Sequence, residues 1–158
     1  MQIKEGGLDD ARVIALLQTH LAAAEAESPP ESCHALDVSG LKTPDIRFWS
    51  AWDGETLLGM GAWKRLDDSD GGGHGELKSM HTAAAARGKG VGAAMLRHLI
   101  ADARAHGIAR LSLETGSMEY FRAARALYAR HGFAECAPFG EYVPDRNSVF
   151  MTKGLGTR

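Results

Sequence analysis

Arg87, Gly88, Lys89, Gly90, Val91, Gly92 and Ala93 put three glycines and two cations where an amphipathic helix is about to begin. That composition suits a phosphate cradle. Glycine has no Cβ, so backbone approaches a ligand closely, and the amides of a helix's first turn lack an intrahelical acceptor. The helix dipole adds roughly 0.3–1 kcal/mol toward an anion at the same place. The bland alternative is a tight connection before a helix. Two familiar phosphate motifs are excluded: the G-x-G-x-x-G pattern starting at Gly90 fails at Met95, and the nucleoside-triphosphate loop fails because Gly90, not Ser or Thr, follows Lys89.

The elements that must position this run follow from periodicity. Glu76 to His81 reads as a strand entering the loop, and Val91 to His106 as the helix leaving it. Val91, Met95 and Leu99, with Leu96, Ile100 and Ala103 beside them, mark one buried helical face, and Gly107 stops the helix. Ile108 to Glu114 alternates as a strand, so strand, helix and strand form a crossover unit. Upstream, Gln2 to Glu5 is a first strand, and Asp9 or Asp10 caps a helix carrying Val13, Leu16, Leu17 and Leu21. Ile46 to Trp52 and Leu57 to Trp63 form a hairpin turned at Asp53-Gly54, and Ser148 to Lys153 is the last strand.

Arg87, Gly90 and Gly92 match an Arg/Gln-x-x-Gly-x-Gly/Ala loop, and Ala124 to Phe133 matches an A-x-x-L-Y-x-x-x-G-F segment through Ala124, Leu127, Tyr128, Gly132 and Phe133. In this order, with a strand between them, the two blocks resemble the GNAT superfamily of acyl-coenzyme A dependent N-acetyltransferases. The segment Ser28 to Leu36 resembles one in a branch of small bacterial acetyltransferases of that family. The resemblance implies one α/β domain over 1–158, with a mixed, mostly antiparallel sheet of six to seven strands flanked by about four helices.

It also implies a reaction: direct transfer of the acetyl group of acetyl-coenzyme A to a primary amine, without an acetyl-enzyme. A primary amine with pKa near ~10 is protonated at neutral pH and needs a base. The family often carries a glutamate on the strand before the loop, and Glu76, eleven residues before Arg87, fills that place. Tyr128 matches the tyrosine that donates a hydrogen bond as charge builds on the leaving sulfur. The pyrophosphate would lie on Arg87 to Ala93, and the pantetheine arm along Met80, His81 and Thr82, provided the sheet opens beside that strand. His81 and His74 are rival bases. Phe121 stands where many relatives have Asn, and would pack on the pantetheine or line the acceptor pocket, one helical face shared with Tyr128. Acceptor contacts are expected from the Glu25 to Leu36 connection and the Phe139 to Asn147 loop, with Glu31, His34, Tyr142 and Asn147 as candidates.

Composition fits this picture. The chain has 158 residues, 44% of them hydrophobic, enough for one cored domain, and its net charge of −2 argues against a nucleic-acid partner. No apolar run suggests a membrane span, so a cytoplasmic protein is expected. Cys33 and Cys136 show no metal-binding spacing and are expected as thiols; no metal is expected. Asp67 to Gly73 reads as a solvated turn between strands. The expected acceptor is a small-molecule amine, since no added domain is present to recognise a protein. A homodimer is expected to draw on the Phe150-Met151 end for its contact. The competing reading is a non-catalytic acyl-coenzyme A binding or sensing module, against which the presence of both Glu76 and Tyr128 speaks.

Overall fold

The computed structural model describes residues 1–66 and 73–156. Seven strands form one sheet in the order β1-β2-β3-β4-β5-β7-β6. They are β1 (Gln2–Glu5), β2 (Ile46–Asp53), β3 (Thr56–Arg65), β4 (His74–Thr82), β5 (Arg110–Gly116), β6 (Ala134–Glu135) and β7 (Ser148–Gly154). The helices are α1 (Ala11–Glu27), α2 (Val38–Leu41), α3 (Val91–Ala105) and α4 (Arg122–Arg130). Every strand pair is antiparallel except β4 with β5, which the α3 crossover makes parallel. The mixed sheet of six to seven strands with about four helices expected from the sequence is what the chain forms.

Strand alternation splits the core between the two faces of the sheet. Phe48, Met60 and Ala62 meet Val13, Leu16 and Leu17 of α1. Ala51, Trp63 and Leu77 meet Val91, Met95, Leu96 and Leu99 of α3. Asp10, not Asp9, caps α1: its carboxylate accepts from the Arg12 amide at 2.8 Å. Hydrogen bonds from Arg12 hold that carboxyl well below the usual range, at about 2. The end of α3 is tied to the sheet by Asp102, which accepts from Trp63 Nε1 at 2.8 Å and Arg47 Nε at 2.7 Å.

Several boundaries shift from the sequence reading. The hairpin loop is Gly54-Glu55, closed by the Asp53–Thr56 pair, with Gly54 at φ 57° supplying the left-handed turn. α3 ends at Ala105, with His106 and then Gly107 in the cap. β4 begins two residues earlier than expected and β5 ends two later. Phe150 and Met151 are not available for a dimer contact: each is 5% exposed, because β7 is flanked by β5 and β6 and both side chains pack within the chain's own interior. The acidic stretch expected as a solvated turn falls at 67–72, outside the described residues. No described helix is long and apolar enough to cross a membrane.

Candidate functional site

β4 and β5 pair only over His74–Glu76 and Arg110–Ser112. Beyond these three rungs the strands part, which is the opening the sequence reading required. β4 is irregular at the same point. Its register against β3 slips between Lys78 and His81, so Ser79 and Met80 have no registered partner, and Ser79 adopts φ 56°. A positive φ at a non-glycine residue is strain held by the surroundings, and it stands here at the mouth of the gap. The buried Ser79 hydroxyl has no hydrogen-bond partner.

Two cavities converge on this gap. The larger, about 590 Å³, runs from Met80, His81 and Thr82 to Arg87, Gly88, Gly90, Val91, Gly92 and Ala93. Gly90 caps α3 in the left-handed conformation at φ 80°, a turn that aims the amides of Val91, Gly92 and Ala93 outward. The volume and the free amides suit a diphosphate with an extended amide arm beside β4. Lys89 is the exception among the expected cradle residues: it is exposed and does not line this cavity.

The smaller cavity, about 140 Å³, lies on the α1 face of the sheet. It is lined by Glu76 and Lys78 of β4, Glu114 of β5, Cys33 and His34 from the connection after α1, and Tyr142. Glu76, 5% exposed, accepts from the Tyr142 hydroxyl at 2.5 Å and from Lys78 Nζ at 3.3 Å. Lys78 also reaches the Tyr142 hydroxyl at 3.2 Å and the His34 carbonyl at 3.4 Å. Burial, then the Glu76 charge, raises the Tyr142 phenol, which therefore stays a donor. His34 meets the Tyr142 ring edge to face at 5.0 Å. Cys33 and Cys136 are free thiols, both half-buried.

His20, Ala24, Met80, Phe121, Ala124 and Tyr128 line both cavities and so mark their junction. Tyr128 supplies the phenol there. It is 7% exposed, and burial, followed by the charge of Glu114, pushes it above its ordinary value. Phe121 lies over Gly116, where a side chain would collide with the ring. His20 Nδ1 and His81 Nδ1 are 3.0 Å apart, so His81 is held by another ring.

Other expected residues are elsewhere. Glu31 is exposed on the short turn Pro30–Ser32 and lines neither cavity. Asn147 lines neither cavity either; its backbone N–H donates to Asp145 Oδ1 at 2.8 Å and its side-chain amide to the Ser32 hydroxyl at 3.5 Å. What joins these two segments is Ser32, whose hydroxyl donates to Asp145 at 2.5 Å. His74 is buried against Ser112, at 2.7 Å, and Phe139, behind the cavity. The residues missed were His20, Lys78 and Glu114. The available signal was polar residues at alternate positions of otherwise buried strands: His74, Glu76 and Lys78 on β4, Ser112 and Glu114 on β5. No described His, Cys, Asp and Glu side chains form a cluster of three fit for a metal.

A family model described as the Acetyltransferase (GNAT) family matches residues 13–133. The chain is 50% identical over 155 residues to an uncharacterized N-acetyltransferase of Bacillus subtilis, YsnE, covering 98% of this chain and 100% of that protein. It is 43% identical over 127 residues to a protein of Azospirillum brasilense named IAA acetyltransferase, with 80% of each chain covered. In fold it is similar to yncA of Salmonella typhimurium, solved with its cofactor acetyl-CoA: the TM-score is 0.72 at 19% identity, over 99% of this chain and 95% of that one.

Proposed function

The chain belongs to the GNAT family of acetyltransferases, and on that premise we propose that it moves the acetyl group of acetyl-CoA directly onto the primary amine of a small molecule. The observation that carries this reading is the meeting of two cavities at Tyr128. A donor lying along β4 with its diphosphate on the first turn of α3 brings its thioester to that junction. An amine in the smaller cavity then faces the thioester carbon from the other side. A cavity of about 140 Å³ roofed by two loops suits a compact acceptor. The name of the Azospirillum relative points the same way.

The chain's groups divide the work. The amides of Val91, Gly92 and Ala93 bind the diphosphate, and Phe121 flanks the arm beside Gly116. The bulge at Ser79 and Met80 leaves backbone amides outside the β3 ladder, placed to hydrogen-bond the thioester oxygen as it gains charge. Tyr128, kept protonated by burial, donates to sulfur as the carbon–sulfur bond breaks.

The test is thiol release from acetyl-CoA over a panel of primary amines that includes amino acids, alkylamines and arylalkylamines, with the acetylated product identified by mass. At least one amine is expected to accelerate release above the hydrolytic background at least tenfold. A protein stabilised by acetyl-CoA but accelerated by no amine would instead be an acyl-CoA binding module.

A further inference from the structure

The two carboxylates of the acceptor cavity are not equivalent. Glu76 is committed to its neighbours: one oxygen accepts from both Tyr142 and Lys78, and the ammonium balances its charge inside the protein. Glu114 is placed differently. It lies two residues beyond Ser112, the last residue of β5 to pair with β4, so strand alternation puts it on the same face as Ser112 and Glu76 but beside the gap. Among the described residues no lysine or arginine forms an ion pair with it. It lines the same cavity as Tyr128, and its charge reaches the phenol.

We infer that Glu114 is the general base of the transfer, and that Glu76 is a positioning residue that holds Lys78 and Tyr142 and thereby the loop wall of the cavity. This rests on the acetyl-transfer reading above. The acceptor ammonium gives one proton to the Glu114 carboxylate, which passes it to solvent. The freed nitrogen lone pair forms the bond to the thioester carbon. The carbon–sulfur bond then breaks with its electron pair on sulfur, Tyr128 protonates the thiolate, and the second nitrogen proton restores the phenol. Ammonium and thioester thus yield amide, thiol and one proton.

Desolvation raises the Glu114 carboxyl above its ordinary value, the direction a base working near neutral pH requires. The groups facing it are Glu76 and Lys78 from β4, His34 and Tyr142 from the two loops, Tyr128 from α4 and Ser148 from β7. None other than Glu114 combines a carboxylate with freedom from an ion pair.

The test is the pH dependence of turnover with acetyl-CoA and the fastest amine of the panel, for the wild type, Glu114→Gln, Glu114→Asp and Glu76→Gln. Glu114→Gln is expected to lose at least about 100-fold in kcat at pH 7, the usual scale of general base catalysis, with the acetyl-CoA KM within about threefold. Its rate should then climb with hydroxide and show no plateau. Glu76→Gln is expected to raise the acceptor KM while keeping the acid limb of the profile. The inference is overturned if Glu114→Gln turns over within threefold of the wild type, or if the acid limb disappears in Glu76→Gln and survives in Glu114→Gln. Retained thermal stabilisation by coenzyme A verifies that each variant is folded. Should Glu114→Gln not fold, Glu114→Asp decides: withdrawing the carboxylate by one methylene must lower kcat and keep the limb, and an unchanged kcat overturns the assignment. A wild type active on no amine overturns the transfer reading itself, an outcome distinct from an active wild type with an equally active Glu114→Gln.

Discussion

His20 and His81 meet Nδ1 to Nδ1 at 3.0 Å with their rings edge to face, so one hydrogen serves two neutral imidazoles. Burial, then the His81 ring, holds His20 down at about 4, and burial, then the Arg87 charge, lowers His81 as well. The unfolded chain takes up the His20 proton below about 6.5, whereas the folded chain does not until about 4. Acidification across that window therefore favours unfolding. Between pH 7 and pH 5, His20 alone should cost about 2 kcal/mol. Urea unfolding at the two pH values should show a smaller loss for His20→Asn than for the wild type, and equal losses would dismiss the pair as a source of acid sensitivity.

Tyr128→Phe removes the phenol at the junction and leaves the ring that packs on Phe133. The expected result is a kcat lowered about 10- to 100-fold, with the acetyl-CoA KM within about threefold, since the lost hydrogen bond acts only as sulfur gains charge. An unchanged kcat would assign the ring to packing alone.

Gly90→Ala forces a Cβ onto a backbone at φ 80°. The strain, about 1 kcal/mol, is relieved by moving the first turn of α3, so coenzyme A affinity should fall about 5- to 10-fold by calorimetric titration. Gly54→Ala, at φ 57° in the β2–β3 hairpin, is the control. It should cost comparable stability and leave affinity unaltered. Equal affinities in both variants would argue against the cradle.

Gly116→Ala puts a methyl group inside the van der Waals envelope of the Phe121 ring. The ring must leave the junction or β5 must shift, at about 1–3 kcal/mol. A lower melting temperature together with a raised acetyl-CoA KM is expected. A variant matching the wild type in both would show that Phe121 has room to move.

What the sequence made legible was the part of the site built from backbone. Glycine at 88, 90 and 92 before an apolar helical face marks a cradle in one dimension, because the conformations and free amides belong to consecutive residues. The sheet was legible for the same reason: alternation and turn residues are local. The acceptor side was not. Glu76 was found by its distance from Arg87, but its partners Lys78 and Tyr142 are joined to it only by the fold. Glu114 was passed over because its place beside the gap depends on where β5 stops pairing with β4. Glu31 and Asn147 were misplaced because loop position in the chain does not tell which side of the loop faces the cavity. Lys89, although inside the motif, is exposed and does not line its cavity.

The roof over the acceptor cavity joins segments 113 residues apart through the Ser32 hydroxyl, which donates to Asp145 and accepts from the Asn147 side chain, and through the edge-to-face contact of His34 with Tyr142. A change of acceptor in this lineage would therefore travel as a pair of coordinated loop replacements, one before β2 and one before β7, while β4 and α3 carry the donor unchanged. Grafting both loops from a relative should transplant its substrate preference; grafting one should leave a hydroxyl or a carboxylate stranded and the roof unlatched.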